Sequence, residues 1–424
     1  MLEIKKSKRF FNVILLFPSS NNSAMSISVR FVLLASFSLL FSACKKDAHE
    51  EEQPAISAES DVLQSLFGDN INLESLYNYS NQPIPDYITQ DNSGNEAIDN
   101  ATATLGRVLF YDKQLSSNNT ISCSSCHKQA FAFSDPAPRS TGVNGLTGRH
   151  SMRLINSRFS EEARFFWDER ALSLEDQTTQ PIQDHNEMGF SGENGDPGIA
   201  ELLDRLETLE YYQELFTFAF GDPLVTEERL QLALSQFIRS IQSFDSRYDE
   251  GRALVQADNI NFPSFSALEN LGKQLFLAPP QFNAQGVRIG GGLGCGGCHR
   301  APEFDIDPNS LNNGITGNPS DPGTPDFAIT RSPSLRDIVG PNGTENGPFM
   351  HDAVLGDLNA VLNHYNNIIL APGNTTLDPR LRPGGNPQQL NLSLQERNAV
   401  MAFLRTLSGT GVYDDPRWSD PFLN

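Results

Sequence analysis

Apolar side chains recur every three or four positions between Thr226 and Asp245, where Leu230, Leu234, Phe237, Ile238, Ile241 and Phe244 form one stripe. That period predicts an amphipathic helix over 226–245, capped by Thr226 and with acidic residues in its first turn. Another helix is predicted to begin at the capping box of Ser393 and Glu396 and to stop at Gly409. Two shorter amphipathic segments open alike, "LGRVLFYD" from Leu105 and "LGKQLFL" from Leu271, each headed by Leu-Gly-basic. The stretches "APPQFNAQGVRIGGGLG" and "DPNSLNNGITGNPSDPGTPD" are dense in Gly, Pro and Asn and predict long irregular loops. The pattern is that of a mostly α protein with extended connections.

The longest apolar run, Phe31 to Cys44, follows Arg30 and places Ser42 and Ala43 just before the cysteine. It is short for a membrane-spanning helix and has the form of a signal peptide. A cysteine after small residues at such a junction resembles the lipobox of bacterial lipoproteins. That implies a signal peptide over 1–43, with Met25 as an alternative start, and acylation of Cys44 after cleavage. An uncleaved membrane anchor is the other reading, and both export the rest of the chain. Residues 44–100 are acidic at "KKDAHEEEQ" and then rich in Asn, Ser and Asp; apart from short helical patterns in "DVLQSLF" and "LESLYNY" they read as a tether between lipid and folded body. The expected location is the periplasmic side of a Gram-negative envelope, with the outer-membrane or surface face left open.

At 424 residues the chain exceeds one ordinary core. Two domains are expected, 101–255 and 256–415. The formal net charge of −21 argues against nucleic acid, whose binding draws on clustered Lys and Arg. A small molecule or a basic protein suits it better.

Cysteine usage narrows the chemistry. Of five cysteines, Cys44 sits at the lipidation junction and the other four form two C-x-x-C-H units, Cys123-Cys126-His127 and Cys295-Cys298-His299. This spacing lets two thiols add across the vinyl groups of a haem while the adjacent imidazole reaches the iron. A zinc site shared by the four cysteines, or two small disulfide loops, would leave both trailing histidines unexplained. The surroundings of the two units also align, "RHSMRLIN" and "RFFWDERALSLEDQ" with "RSPSLRDI" and "GPFMHDAVLGDLNAV", which points to an internal duplication and sets Trp167 opposite His351 in the register.

Over roughly residues 100–410 these strings, with "NEMG" in the first half, resemble the bacterial di-haem cytochrome c peroxidases and their relatives, including the maturase MauG. The resemblance implies two cytochrome c-like haem domains and two covalently bound haems c. The N-terminal haem would be peroxidatic, with His127 as proximal ligand. The C-terminal haem, on His299, would be a low-spin electron relay. Trp167 would be the aromatic between them, with Gln177 and Glu187 in the distal pocket of the first. A carboxylate there can take a proton from one peroxide oxygen and return it to the other, and Gln177 would orient the peroxide. Read without the family, Trp167 is a core aromatic and Glu187 a solvated helix cap.

Departures from the family pattern sharpen the expectation. Val143 stands where activation-dependent peroxidases carry the histidine that plugs the first haem at rest, so this haem is expected open, with His150 and Met152 as nearby competitors. Fourteen residues after His351 comes Tyr365, the position of the second haem's distal ligand, and His364 competes with it. The family's calcium would use carbonyls of Asn346 and Pro348, but His150 replaces the asparagine ligand and calcium prefers oxygen. Arg331 is expected to pair with a haem propionate, a surface salt bridge being the alternative.

The function expected is reduction of hydrogen peroxide to water with electrons from a small redox protein, a cytochrome c or a cupredoxin. The alternatives are a MauG-like oxidase or maturase storing two oxidising equivalents, and an electron-transfer protein with both haems closed. Relatives often dimerise, and this sequence carries no sign of it either way.

Overall fold

The computed structural model describes residues 61–423 except Asn95 and Glu162. The signal segment, Cys44 and the first part of the expected tether lie outside the described residues. Among those described, no helix is long and apolar enough to cross a membrane.

Helices dominate the first half: α1 (Asp61–Phe67), α2 (Asn100–Tyr111), the single turn α3 (Cys123–Cys126), α4 (Leu174–Thr179), α5 (Ile199–Glu207), α6 (Glu210–Phe220) and α7 (Glu227–Ser240). Then come α8 (Arg247–Arg252), α9 (Ala267–Leu277), the antiparallel pair β1 (Pro280–Phe282) and β2 (Arg288–Gly291), and a second small pair, β3 (His299–Arg300) and β4 (Asp305–Ile306). After a long irregular stretch follow α10 (Leu358–Asn366) and α11 (Leu394–Leu404).

Thr226 caps α7 as its sequence predicts, accepting a hydrogen bond from the Arg229 N–H. The helix ends at Ser240 rather than running to 245. Asn156 captures the chain there: its N–H donates to the Ile241 carbonyl at 2.9 Å, its Oδ1 accepts from the Ser243 N–H at 2.8 Å and its Nδ2 donates to the Ser243 carbonyl at 3.2 Å. Tertiary partners thus replace the helical ones. The capping box of α11 forms, with Ser393 and Glu396 each accepting from the other's N–H.

Two pairs of crossing helices carry the cores. α2 packs on α7 and α9 on α11, and each contact is set by a glycine. A Cβ on Gly106 would stand 1.9 Å from the Ala233 carbonyl oxygen, and one on Gly272 would stand 1.9 Å from that of Ala399. This is why both segments open with Leu-Gly: only a missing side chain lets the backbones approach so closely. The basic residue that follows is buried as well. Arg107 donates to the Ser419 and Asn70 carbonyls, and Lys273 to those of Asp258 and Ile260.

One apolar cluster gathers around Leu105, Phe110, Leu234 and Phe237, the other around Phe276, Phe304, Val400 and Phe403. The first also draws in segments from outside the expected 101–255. Residues 61–99, read as tether, are folded onto it, with Leu63, Phe67, Ile71, Tyr79 and Ile98 buried. The C-terminal tail returns to it too, burying Trp418 and placing the Trp418 carbonyl 2.6 Å from the Tyr111 hydroxyl.

Candidate functional site

The two C-x-x-C-H segments are built alike. In the first, α3 presents both thiols on one turn, its start held by the Ser122 N–H donating to Ser125 Oγ at 3.0 Å. The chain leaves the helix at His127 and turns back through Phe133, at φ 59°, so that the Phe133 carbonyl meets His127 Nδ1 at 3.1 Å. In the second, a 3-10 turn at Cys295–Gly297 leads to His299, and Phe304, at φ 54°, brings its carbonyl within 3.3 Å of His299 Nδ1. Positive φ is unfavourable for a bulky residue, and both halves hold a phenylalanine in it soon after the histidine, six residues on in the first and five in the second. In each imidazole the Nδ1 atom is thereby engaged by a carbonyl, the arrangement that suits Nε2 to metal ligation.

Burial keeps both imidazoles neutral, lowering His127 and bringing His299 down to about 4. Burial also raises the thiols, Cys123 and Cys295 to about 12 and Cys126 and Cys298 to about 11, with repulsion between paired thiols adding to Cys123 and Cys295. All four are free thiols.

Each segment lines a cavity. The first, about 400 Å³, is bounded by Cys123, Cys126, His127, Gln177 and Glu187; the second, about 590 Å³, by Cys295, Cys298, His299, Met350 and Tyr365. Trp167, His150, Met152, Arg153 and Arg331 line both. Trp167 is buried and firmly held: its Nε1 donates to the His150 carbonyl at 2.8 Å, and its own carbonyl accepts from the Thr330 and Arg331 N–H groups at 3.1 Å each. Its ring lies 6.2 Å from that of His351, edge to face.

The first cavity is also lined by α4, carrying Gln177, and by the turn carrying Glu187. The Glu187 N–H donates to Asp184 Oδ1 at 3.0 Å, and the Glu187 carbonyl accepts from the Val143 N–H at 2.9 Å. Burial pushes the Glu187 carboxyl up to about 7; Asp184 adds to the rise and Arg170 opposes it. Arg170 lines the same cavity, stacks over the Phe166 ring at 3.5 Å and donates to Asp168 at 3.0 Å. No sequence signal singles it out, since its role depends on which wall its loop joins.

Across the second cavity Tyr365 projects from α10. Its hydroxyl accepts from Asn313 Nδ2 at 3.3 Å, and that amide also reaches Met350 Sδ at 3.3 Å. His364, by contrast, is tied by Nε2 to the Asn313 carbonyl at 2.9 Å and does not line the cavity. Among the competitors near the first cavity, His150 Nδ1 bonds the Ala137 carbonyl at 3.1 Å, and the Met152 backbone lies near enough to the His127 ring to influence it. Arg331 is buried, donates to Ser160 Oγ at 2.9 Å and to the Arg164 carbonyl, and lies 3.7 Å from Asp305. Its ion pair is thus an internal one.

Residues 100–254 match the family described as di-haem cytochrome c peroxidase. The chain is 30% identical over 314 residues to the methylamine utilization protein MauG of Methylorubrum extorquens, covering 72% of this chain and 77% of that one. It is 26% identical over 338 residues to the cytochrome c551 peroxidase of Nitrosomonas europaea, covering 76% and 83%. The chain belongs to the di-haem cytochrome c peroxidase and MauG family. Among solved structures, a MauG-like protein associated with microbial copper homeostasis superposes with a TM-score of 0.60 at 29% identity, over 80% of this chain and 99% of that one.

The residues fit the haem c that the family implies. Paired free thiols, a neutral imidazole with Nδ1 engaged, and a cavity of ligand-binding size stand together twice. They do not fit the family's calcium. The Asn346 carbonyl accepts from Arg153 Nη2 at 3.0 Å, so a guanidinium stands at that oxygen. At the asparagine position, His150 offers a ring nitrogen where a hard cation needs oxygen.

Proposed function

We propose that the chain is an exported di-haem c enzyme that reduces hydrogen peroxide, H2O2 + 2e⁻ + 2H⁺ → 2H2O, with electrons from a small redox protein. Cys123, Cys126 and His127 would hold the first haem, and Cys295, Cys298 and His299 the second, with Tyr365 as its other ligand. Bound haem iron supplies the centre at which an O–O bond is reduced, and a second haem supplies the electron store.

The observation that carries this reading is the contrast between the cavities: a carboxyl and an amide line that of His127, while a phenol lines that of His299. Glu187, with its carboxyl pushed up to about 7, is suited to take a proton at one peroxide oxygen and return it to the other near neutral pH. Gln177 would orient the peroxide by hydrogen bonding. Trp167, lining both cavities, would fix the contact between them. The loop at Val143, bonded to the backbone of Glu187, braces the acid in place. The matching glycines, Gly106 and Gly272, and the matching turns at Phe133 and Phe304 support two haem domains of duplicated origin.

Resting ferric protein is expected to give mixed high-spin and low-spin signals by electron paramagnetic resonance and to react with peroxide without prior reduction. Two low-spin haems at rest would reduce it to an electron carrier. A second reading, an oxidase or maturase like MauG, is favoured by Tyr365, since an anionic oxygen ligand stabilises more highly charged iron. Turnover with a reduced cytochrome c or cupredoxin separates the two, being fast for a peroxidase and slow for a maturase. Anchoring through Cys44 belongs to the same reading and is checked by labelled-palmitate incorporation, which Cys44→Ser should abolish.

A further inference from the structure

The wall between the two cavities holds a cation that peroxide chemistry leaves unused. Arg153 lines both cavities. Among the described residues its one side-chain hydrogen bond runs from Nη2 to the Asn346 carbonyl at 3.0 Å. Its Nε is buried without a partner, and no carboxylate of the described residues forms an ion pair with it. Burial lowers its pKa, and the electrostatic influence of Tyr413 and Asp337 opposes that shift. A partly buried guanidinium whose Nε is buried without a partner is costly, and its planar fork matches a carboxylate. Its backbone belongs to the first half and its carbonyl partner to the second, so it joins the two.

We propose that Arg153 is a resident cation between the two haem chambers, holding the Asn346 carbonyl and pairing with a propionate of bound haem, in the place of a calcium ion. The proposal rests on the reading that both cavities hold haem c. The surroundings agree with a built-in cation. Asn346 is itself fixed, its Nδ2 donating to the Asp337 carbonyl at 2.8 Å and to the Tyr413 hydroxyl at 2.9 Å, so its carbonyl presents a rigid acceptor. His150, which lines both cavities beside Arg153, has its Nδ1 committed to the Ala137 carbonyl.

The test is a redox titration of haem-loaded protein, wild type against Arg153→Gln and Arg153→Lys. Loss of a fixed positive charge makes each haem harder to reduce. Both midpoint potentials are expected to fall in Arg153→Gln, with a tenfold change in the ratio of reduced to oxidised haem corresponding to about 59 mV. Arg153→Lys, which keeps the charge and loses the fork, should fall less. Wild type dialysed against EDTA should keep its spectrum and melting temperature and carry far less than one calcium per chain by elemental analysis. Unchanged potentials in Arg153→Gln would overturn the proposal, and so would one bound calcium per chain whose removal alters the spectrum. If Arg153→Gln does not fold, Arg153→Met is titrated in its place, and potentials equal to wild type would overturn the proposal. Counting haem by its pyridine spectrum distinguishes the two failures, since a protein without two haems c defeats the underlying reading rather than the role of Arg153.

Discussion

On the cysteine side, the two halves are close copies. Each has a glycine at a helix crossing, a tight turn bearing two thiols, and a phenylalanine at positive φ whose carbonyl engages a histidine. Across the cavities they part. Glu187, Gln177 and Arg170 line the first, and Tyr365, Asn313 and Met350 the second. The framework holding a prosthetic group can thus stay fixed while a few side chains opposite it set the chemistry, because those side chains come from other elements and change without disturbing the turn.

Glu187→Gln probes this contrast most severely. Peroxide turnover is expected to fall about 100-fold, within the range for a lost acid-base group, with the low-spin haem signal unchanged. Stopped-flow mixing with peroxide measures it, and retained turnover would remove Glu187 from the reaction.

The same residue gives a pH signature. Its carboxyl stands at about 7 against an ordinary 4.5, so the folded state favours the protonated form. Turnover limited by its base form should rise as pH rises through about 7, and this rise should vanish in Glu187→Gln. Over about 4.5 to 7 the residue's contribution to stability falls with rising pH, because the unfolded chain ionises more readily there.

The likeness of the halves can be tested at the glycines. Gly106→Ala and Gly272→Ala each place a methyl against a neighbouring backbone carbonyl, and each is expected to destabilise its half by about 1–3 kcal/mol. Comparable losses in chemical denaturation support the shared framework; a large loss at one and none at the other would refute it. The smallest effect belongs to Asn313→Ala. Losing the donor to the Tyr365 hydroxyl should cost about 1 kcal/mol and shift the low-spin signal while leaving peroxide binding at the first haem intact.

Much of the site was legible because its chemistry is local. C-x-x-C-H places thiols and imidazole within five consecutive residues, so no fold is needed to bring them together. Caps at Thr226 and Ser393 act within one turn and were equally plain. The surroundings of His364 and Tyr365 were not, because neighbours on a helix point to different places and Asn313, some fifty residues away, ties one back and meets the hydroxyl of the other.

The order of residues is enough to mark the candidates for haem attachment, where several helices begin, and that the two C-x-x-C-H units have similar surroundings. What faces what was settled by long-range packing. Residues 61–99 have too sparse an apolar pattern to announce a core, yet Leu63, Phe67 and Tyr79 are buried because distant segments offer them a surface. Arg153 and Arg170 look like ordinary surface charges until the fold sets them in cavity walls. Local patterns follow from the geometry of a few bonds, whereas burial and electrostatic environment depend on atoms far along the chain.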